Sequence, residues 1–234
     1  LGLFFPLLNM SRQETRRHRC AHNLKEIGQA DLRHEVIQGN FVPARLGPDG
    51  TASLEVRHLR TGVERSGASG FVLMLPYIEK IKKRRREALV AKFDVFENDS
   101  IWPSSLVVPG LRWLTPERVK AIGSRPRVFV CPAAKDEPKT TDPRFQANFD
   151  PLPATGNYAF VAGHRGVFYP SPVNACLVKH HNSGPHLYWT TYSLPDIEDG
   201  ASNTISVGEV YGSHTEESSN IWTYTIRYLN CFRV

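Results

Sequence analysis

Apolar residues in the first forty positions recur with a helical period. Cys20, Leu24 and Ile27 fall at i, i+4 and i+7 and form one stripe, which Leu32 and Val36 continue loosely. Ahead of the stripe lie an apolar stub, LGLFFPLL, and a basic stretch, RQETRRHR. The pattern predicts one long helix between Pro6 and Pro43 with an extended exit. Ser11, with Glu14 three residues on, has capping-box spacing for the section after the stub. Gly39-Asn40 supplies residue types that end helices in the left-handed conformation. From Ser11 to Gln38, about 28 residues at 1.5 Å each would span about 42 Å, long for a domain of this size.

Beyond Pro43 the pattern shortens. A Gly-rich polar connection predicts a hairpin or loop around Pro48-Asp49-Gly50. Ser69 is placed to cap a helix carrying Phe71, Leu75, Ile78, Leu89 and Phe93, broken near Pro76. Thr115-Pro116 reads as an N-cap and first-turn pair. Short strands are expected at Arg127–Pro132, closed by its proline, at Asn157–Gly163 and at Thr204–Val210, the last entered from a turn at Asp199–Asn203. Ile221–Ile226 would add another. Many strands after one dominant helix imply an α+β fold, the long N-terminal helix laid on an antiparallel β-sheet with a loop-rich C-terminal head. Residues 1–40 would be the helix and 41–234 the head.

Composition changes this picture in two places. The 234 residues are 41% hydrophobic with mixed charges, which excludes a disordered chain and leaves ample material for a core. The net charge of +6 is unevenly distributed: Lys80, Lys82, Lys83, Arg84, Arg85 and Arg86 form one run, whereas His180 to Ile226 contains no Lys or Arg. Asp196, Glu198, Asp199, Glu209, Glu216 and Glu217 lie in that acidic region. Four cysteines, Cys20, Cys131, Cys176 and Cys231, are too far apart for a zinc knuckle or a redox CxxC. Disulfides in an oxidising compartment and free buried thiols both fit them. No stretch reaches the roughly 20 apolar residues of a membrane span. The stub nevertheless reads as the cut end of a longer hydrophobic segment.

Catalytic signatures are lacking: no P-loop, dinucleotide fingerprint, GxSxG elbow or HExxH occurs, and a non-enzymatic protein is expected. His180, His181 and His186 in KHHNSGPHLYW, and His164, read as exposed loop histidines rather than zinc ligands. Asp196, Glu198 and Asp199 are a weak calcium candidate; the preferred reading is a tight turn in which Asp199 and Asn203 bond their own backbone. The KKRRR run reads as the solvated face of a helix, and nucleic-acid binding is disfavoured.

In order along the chain, several segments resemble one family. Pro6, Arg12, Arg16, Arg17, Cys20, Asn23, Leu24, Lys25, Ile27 and Gly28 fit its N-terminal signature without a gap, with His22 and Glu26 as substitutions. Phe41, Pro43 and the segments SGFVLMLPYIEK, FDVFENDSIW, VFVCPA, GNYAFVAG and IEDGASNTISVGEV follow. The chain is similar to the DUF1559 family of exported proteins, abundant in planctomycetes, whose members begin with a prepilin-type cleavage and methylation segment and which is also labelled a solute-binding-protein family. Asp31 and His34 depart from it, standing where the family prefers apolar or aromatic residues.

The resemblance implies a type IV pilin-like or pseudopilin-like protein of the cell envelope, secretion-associated, extracytoplasmic and anchored in the membrane by its N-terminal helix. Its implied partners are other copies or other pilin-like subunits. Cys20, on the apolar stripe, is then a candidate for a disulfide to Cys131. The basic run and the acidic region would meet between subunits. The alternative is a surface-anchored solute- or polysaccharide-binding module, which predicts a pocket lined by Trp102, Trp113, Tyr158, Tyr188 and Trp189.

Overall fold

The structure is a computed structural model that describes residues 4–46, 68–79, 81–93, 115–135, 137–146, 149–163, 182–188, 191–210, 220–224 and 231–232. Its dominant element is α1, Phe4–Gln38, one continuous helix of 35 residues. At 1.5 Å per residue it runs about 52 Å. Ser11 does not start a helix. It lies inside α1, where its carbonyl accepts from Thr15 Oγ1 at 2.9 Å. The far end does stop where expected: Gly39 adopts φ 81° and its N–H bonds the Glu35 carbonyl at 2.7 Å. Only a residue at ease in the left-handed region closes a helix this way.

The buried face of α1 carries Cys20, Asn23, Ile27, Ala30 and Asp31. Leu32 and Val36, expected to prolong the stripe, are 46% and 79% exposed. The 3.6-residue period brings positions 30 and 31, rather than 32 and 36, onto the face that holds Cys20 and Ile27.

Short elements complete the body. They are α2 (Gly70–Met74), running into a 3₁₀ turn at Leu75–Tyr77, α3 (Lys83–Phe93), α4 (Pro116–Ile122) and α5 (Pro143–Gln146). Ser69 Oγ caps α2 and Thr115 Oγ1 caps α4, each accepting from a first-turn N–H. Pro76 sits in the 3₁₀ turn that separates α2 from α3.

Strand β1 (Tyr158–Val161) is the middle of a three-stranded sheet, flanked by β2 (Val207–Glu209) and β3 (Cys231–Phe232). It pairs antiparallel with β2, Phe160 opposite Val207, and parallel with β3, Phe160 opposite Cys231. The fold is α+β as expected, with a sheet that is mixed rather than purely antiparallel.

Two expected strands are not strands. Arg127–Phe129 is a 3₁₀ turn. Side chains replace a neighbouring strand there: Asn23 Nδ2 donates to the Arg127 and Val130 carbonyls, and Cys131 N–H donates to Asn157 Oδ1. Ile221 and Tyr224 form isolated bridges on either side of a turn at Trp222-Thr223. The expected loop at 48–50 and the rest of 221–226 lie outside the described residues.

The core between these elements is aromatic. Phe71 stacks on Phe160 with centroids 4.2 Å apart, Phe129 stacks on Trp222 at 5.0 Å, and Phe93 meets Trp222 edge-on. Each such side chain contributes about 1.5–3 kcal/mol of burial. Arg45, 2% exposed, holds its guanidinium 4.7 Å from the Tyr224 ring centroid and 5.9 Å from that of Tyr188. At the end of β1, Gly163 (φ 109°) crosses Gly184 so closely that a methyl on either would overlap the other's backbone. That crossing sets where the 182–188 segment lies.

Candidate functional site

The arrangement of most consequence is how α1 meets the body. Residues 10–19 are exposed on every side. At Cys20 the helix enters the fold, and Cys20 is disulfide-bonded to Cys131 with Cα atoms 4.7 Å apart. Tyr158 Oη donates to the Cys20 carbonyl at 3.1 Å. Burial pushes the Tyr158 phenol well above its usual value, a hydrogen bond with the Asn23 side chain pulls the other way, and the charge of Glu209 adds to the rise. The pairing joins α1 to the 3₁₀ turn that precedes Cys131, across a separation of 111 residues. In the chain-entropy account a loop that long is worth about 4–5 kcal/mol to the closed fold.

Three turns further on, α1 is held by a buried polar knot. Asp31 is 2% exposed and His186 fully enclosed, with His186 Nε2 to Asp31 Oδ2 at 3.2 Å. Ser206 Oγ lies 2.7 Å from the same Nε2 and donates to Asp31 Oδ2 at 2.9 Å. His186 Nδ1 faces the Val42 carbonyl at 2.7 Å, and Val42 N–H donates to Asp31 Oδ1. Nδ1 faces a carbonyl and so donates, while Nε2 sits between the Ser206 hydroxyl and the Asp31 carboxylate.

His186 is therefore not an exposed loop histidine; Gly163 and Gly184 carry its segment inward. Nor is this a nucleophilic triad, in which carboxylate and hydroxyl occupy opposite ring nitrogens. Here both crowd Nε2, so the group ties α1 to the 186 segment and to the approach to β2. His164, His180 and His181 lie outside the described residues.

Nothing in the patterning separated Asp31 from a surface acid, yet a usable signal was present. Asn23 and Asp31 fall three and eleven residues after Cys20, on the same helical face as Ile27. Polar residues there must find buried partners, and both do.

Next to the knot is an open cleft of about 300 Å³ between the 182–185 segment and the 192–204 segment. Asp196, Glu198 and Asp199 all line it, with Asn182, Tyr192 and Thr204. The end of α1 supports it: Glu35 Oε1 accepts from Leu194 N–H at 3.2 Å, and Phe41 N–H donates to the Tyr192 carbonyl at 2.7 Å.

The acidic turn is built from its own backbone. Asp196 Oδ2 accepts from Ser193 N–H and Oγ at 2.7 and 2.6 Å, and these bonds hold its carboxyl below the usual range. Asn203 Nδ2 donates to the Asp199 carbonyl at 2.9 Å. Asp196, Glu198 and Asp199 do not form a calcium cage. Among the described residues, the ligand atoms that converge within 4.8 Å are those of Cys20, Cys131 and Glu209, and the first two are engaged in the disulfide.

The remaining expected residues are dispersed. Lys82, Lys83, Arg84 and Arg85 are exposed on α3 and just before it, while Arg86 is half-buried and donates to the Ile78 carbonyl at 3.0 Å. Lys83 pairs loosely with Glu87 at 3.9 Å. Lys80 lies outside the described residues. Of the aromatics proposed for a binding pocket, Tyr158 and Tyr188 are buried core residues: the Tyr158 hydroxyl reaches the Cys20 carbonyl on α1, Tyr188 lies by Arg45, and neither lines the cleft. Trp102, Trp113 and Trp189 lie outside the described residues. Among the described residues, no helix is long and apolar enough to cross a membrane.

Comparison with known proteins places the chain in a family. The profile of SBP_bac_10, described as a protein of unknown function (DUF1559), matches residues 10–224. The chain belongs to that family. No curated protein and no solved structure matches it.

Proposed function

We propose that this DUF1559 member is a non-enzymatic, type IV pilin-like or pseudopilin-like component of the cell envelope. In this reading α1 is the spine by which copies associate, and the sheet-bearing body is the outward head. The observation that carries it is the two-part character of α1. A free-standing helix is marginal on its own and is normally stabilised by packing an apolar face. Residues 10–19 are all exposed and have no such packing among the described residues. A helix continued past its own domain and locked at Cys20 is suited to contacts outside the domain.

The implied location is extracytoplasmic, where a Cys20–Cys131 disulfide is stable. The charges of Lys82–Arg86 and of the acidic region would contribute contacts between neighbours. The test is expression of the full-length gene product in a cell with its prepilin peptidase. N-terminal processing seen by mass spectrometry, with co-assembly seen by cross-linking, is the expected result. An unprocessed, strictly monomeric protein would sink the reading.

A further inference from the structure

Two unsatisfied charge features lie far apart on this molecule, and they match. Arg12, Arg16 and Arg19 recur at i, i+4 and i+7 on the projecting part of α1, so their guanidiniums share one face. All three are exposed, and none makes an ion pair or hydrogen bond among the described residues. The acid within that segment, Glu14, lies on the opposite face and pairs with His18 at 3.2 Å.

The second feature is the open cleft of about 300 Å³, whose wall carries Asp196, Glu198 and Asp199. The sequence from His180 to Ile226 offers no Lys or Arg to neutralise it. Glu198 and Asp199 are exposed, and their carboxylates have no partner among the described residues. Guanidinium is the cation that pairs with carboxylates in forked geometry.

The two features cannot meet within one molecule. Glu35 bonds Leu194 at the foot of the acidic turn, so it marks the cleft's level along α1. Arg19 and Arg12 precede Glu35 by 16 and 23 residues of continuous helix. At 1.5 Å per residue these are about 24 and 35 Å away.

We propose that the Arg12–Arg16–Arg19 stripe of one molecule docks into the Asp196–Glu198–Asp199 cleft of a second copy. This rests on the self-association reading above and gives it a specific contact. Two different surfaces at opposite ends of α1 make a heterologous interface, which propagates head to tail as an open filament or closes as a ring. Neighbours would be offset along the helix axis by about 24–35 Å. Exposed ion pairs are individually weak and screened by salt, so this contact sets register and responds to ionic strength.

The test is sedimentation velocity on the 234-residue chain. One variant carries Arg12→Glu, Arg16→Glu and Arg19→Glu; the other carries Glu198→Lys and Asp199→Lys, leaving the Ser193–Asp196 cap intact. Each alone is expected to weaken self-association at least about tenfold, and an equimolar mixture to restore it, because the reversed stripe then meets a reversed cleft. Salt at about 1 M, where the screening length is about 3 Å, should dissociate the native chain.

Unchanged thermal melting shows that the reversals leave the fold intact. As a second measurement, Arg16→Cys and Asp199→Cys proteins mixed with a short bismaleimide should yield a cross-linked heterodimer. Association that survives either reversal alone, or a mixture that fails to recover it, overturns the contact. So does a native chain that stays monomeric while its arginine stripe binds phosphatidylglycerol vesicles. If the full-length protein still assembles in cells with either reversal alone, this contact is wrong and the spine reading stands.

Discussion

The two halves of α1 share a backbone and differ in almost everything else. From residue 10 to 19 every position is exposed, four are arginines, and the ion pair present is local, His18 with Glu14. From Cys20 onward the same helix carries a disulfide, a buried amide bonded to two carbonyls, and an enclosed carboxylate paired with an enclosed imidazole. The difference teaches that helix continuity and helix stability are separate matters here. The second half is held by tertiary partners; the first is helical by extension from it.

Removing one partner of the enclosed pair should break that contrast most. Asp31→Ala removes the carboxylate that His186 Nε2, Ser206 Oγ and Val42 N–H all face, and losing one partner of a buried pair costs about 3–5 kcal/mol. Urea unfolding should show the lowered midpoint, and hydrogen exchange should show the C-terminal half of α1 losing protection. An Asp31→Ala protein as stable as the native one would mean that the knot does not hold the helix.

Loss of the disulfide ranks next. Cys20→Ser with Cys131→Ser should destabilise by about 2–5 kcal/mol, and Tyr158 Oη should no longer hold its bond to the Cys20 carbonyl as firmly. Residues 10–19 should exchange as they did before, since they are exposed throughout and have no tertiary partners among the described residues. Protection lost equally from both halves would erase the distinction between them.

The smallest effect is a pH dependence at the junction. The Tyr158 phenol is raised in the folded state, so the unfolded chain gives up that proton first as pH climbs past the ordinary tyrosine value near 10. The stabilising contribution is whole below that pH and is lost above it, by about 1.4 kcal/mol for each pH unit until the folded phenol ionises too. Thermal melts between pH 9 and about 11 should show the extra slope, and Tyr158→Phe should remove it.

Patterning made part of this architecture legible. The apolar i, i+4, i+7 run placed α1, the left-handed closure at Gly39 was readable from its residue type, and Ser69, Pro76 and Thr115 marked the boundaries they were expected to mark. The strand expected at Arg127–Pro132 failed because side chains from distant parts of the chain satisfied backbone groups that local reasoning assigned to a ladder. Asn23 and Asn157 do this at Arg127–Cys131, which is why a run rich in valine and phenylalanine turns rather than extends.

The same applies to His186. Its local sequence is Gly- and Pro-rich, and the carboxylate that draws it inward lies 155 residues earlier in the chain. The acidic turn could be read from sequence because its bonds are local, Asp196 to Ser193 and Asn203 to Asp199. The cleft beside it could not, being made by two segments that meet only in the folded molecule.

The separation of 111 residues between Cys20 and Cys131 also carries an order of events. A chain made from its N-terminus presents Cys20 long before Cys131 exists, and β1, which supplies Tyr158, emerges later still. Until residue 131 has been made, this pairing cannot fix α1 to the body, so the clasp is a late event: helix and head are joined only once more than half of the 234-residue chain exists.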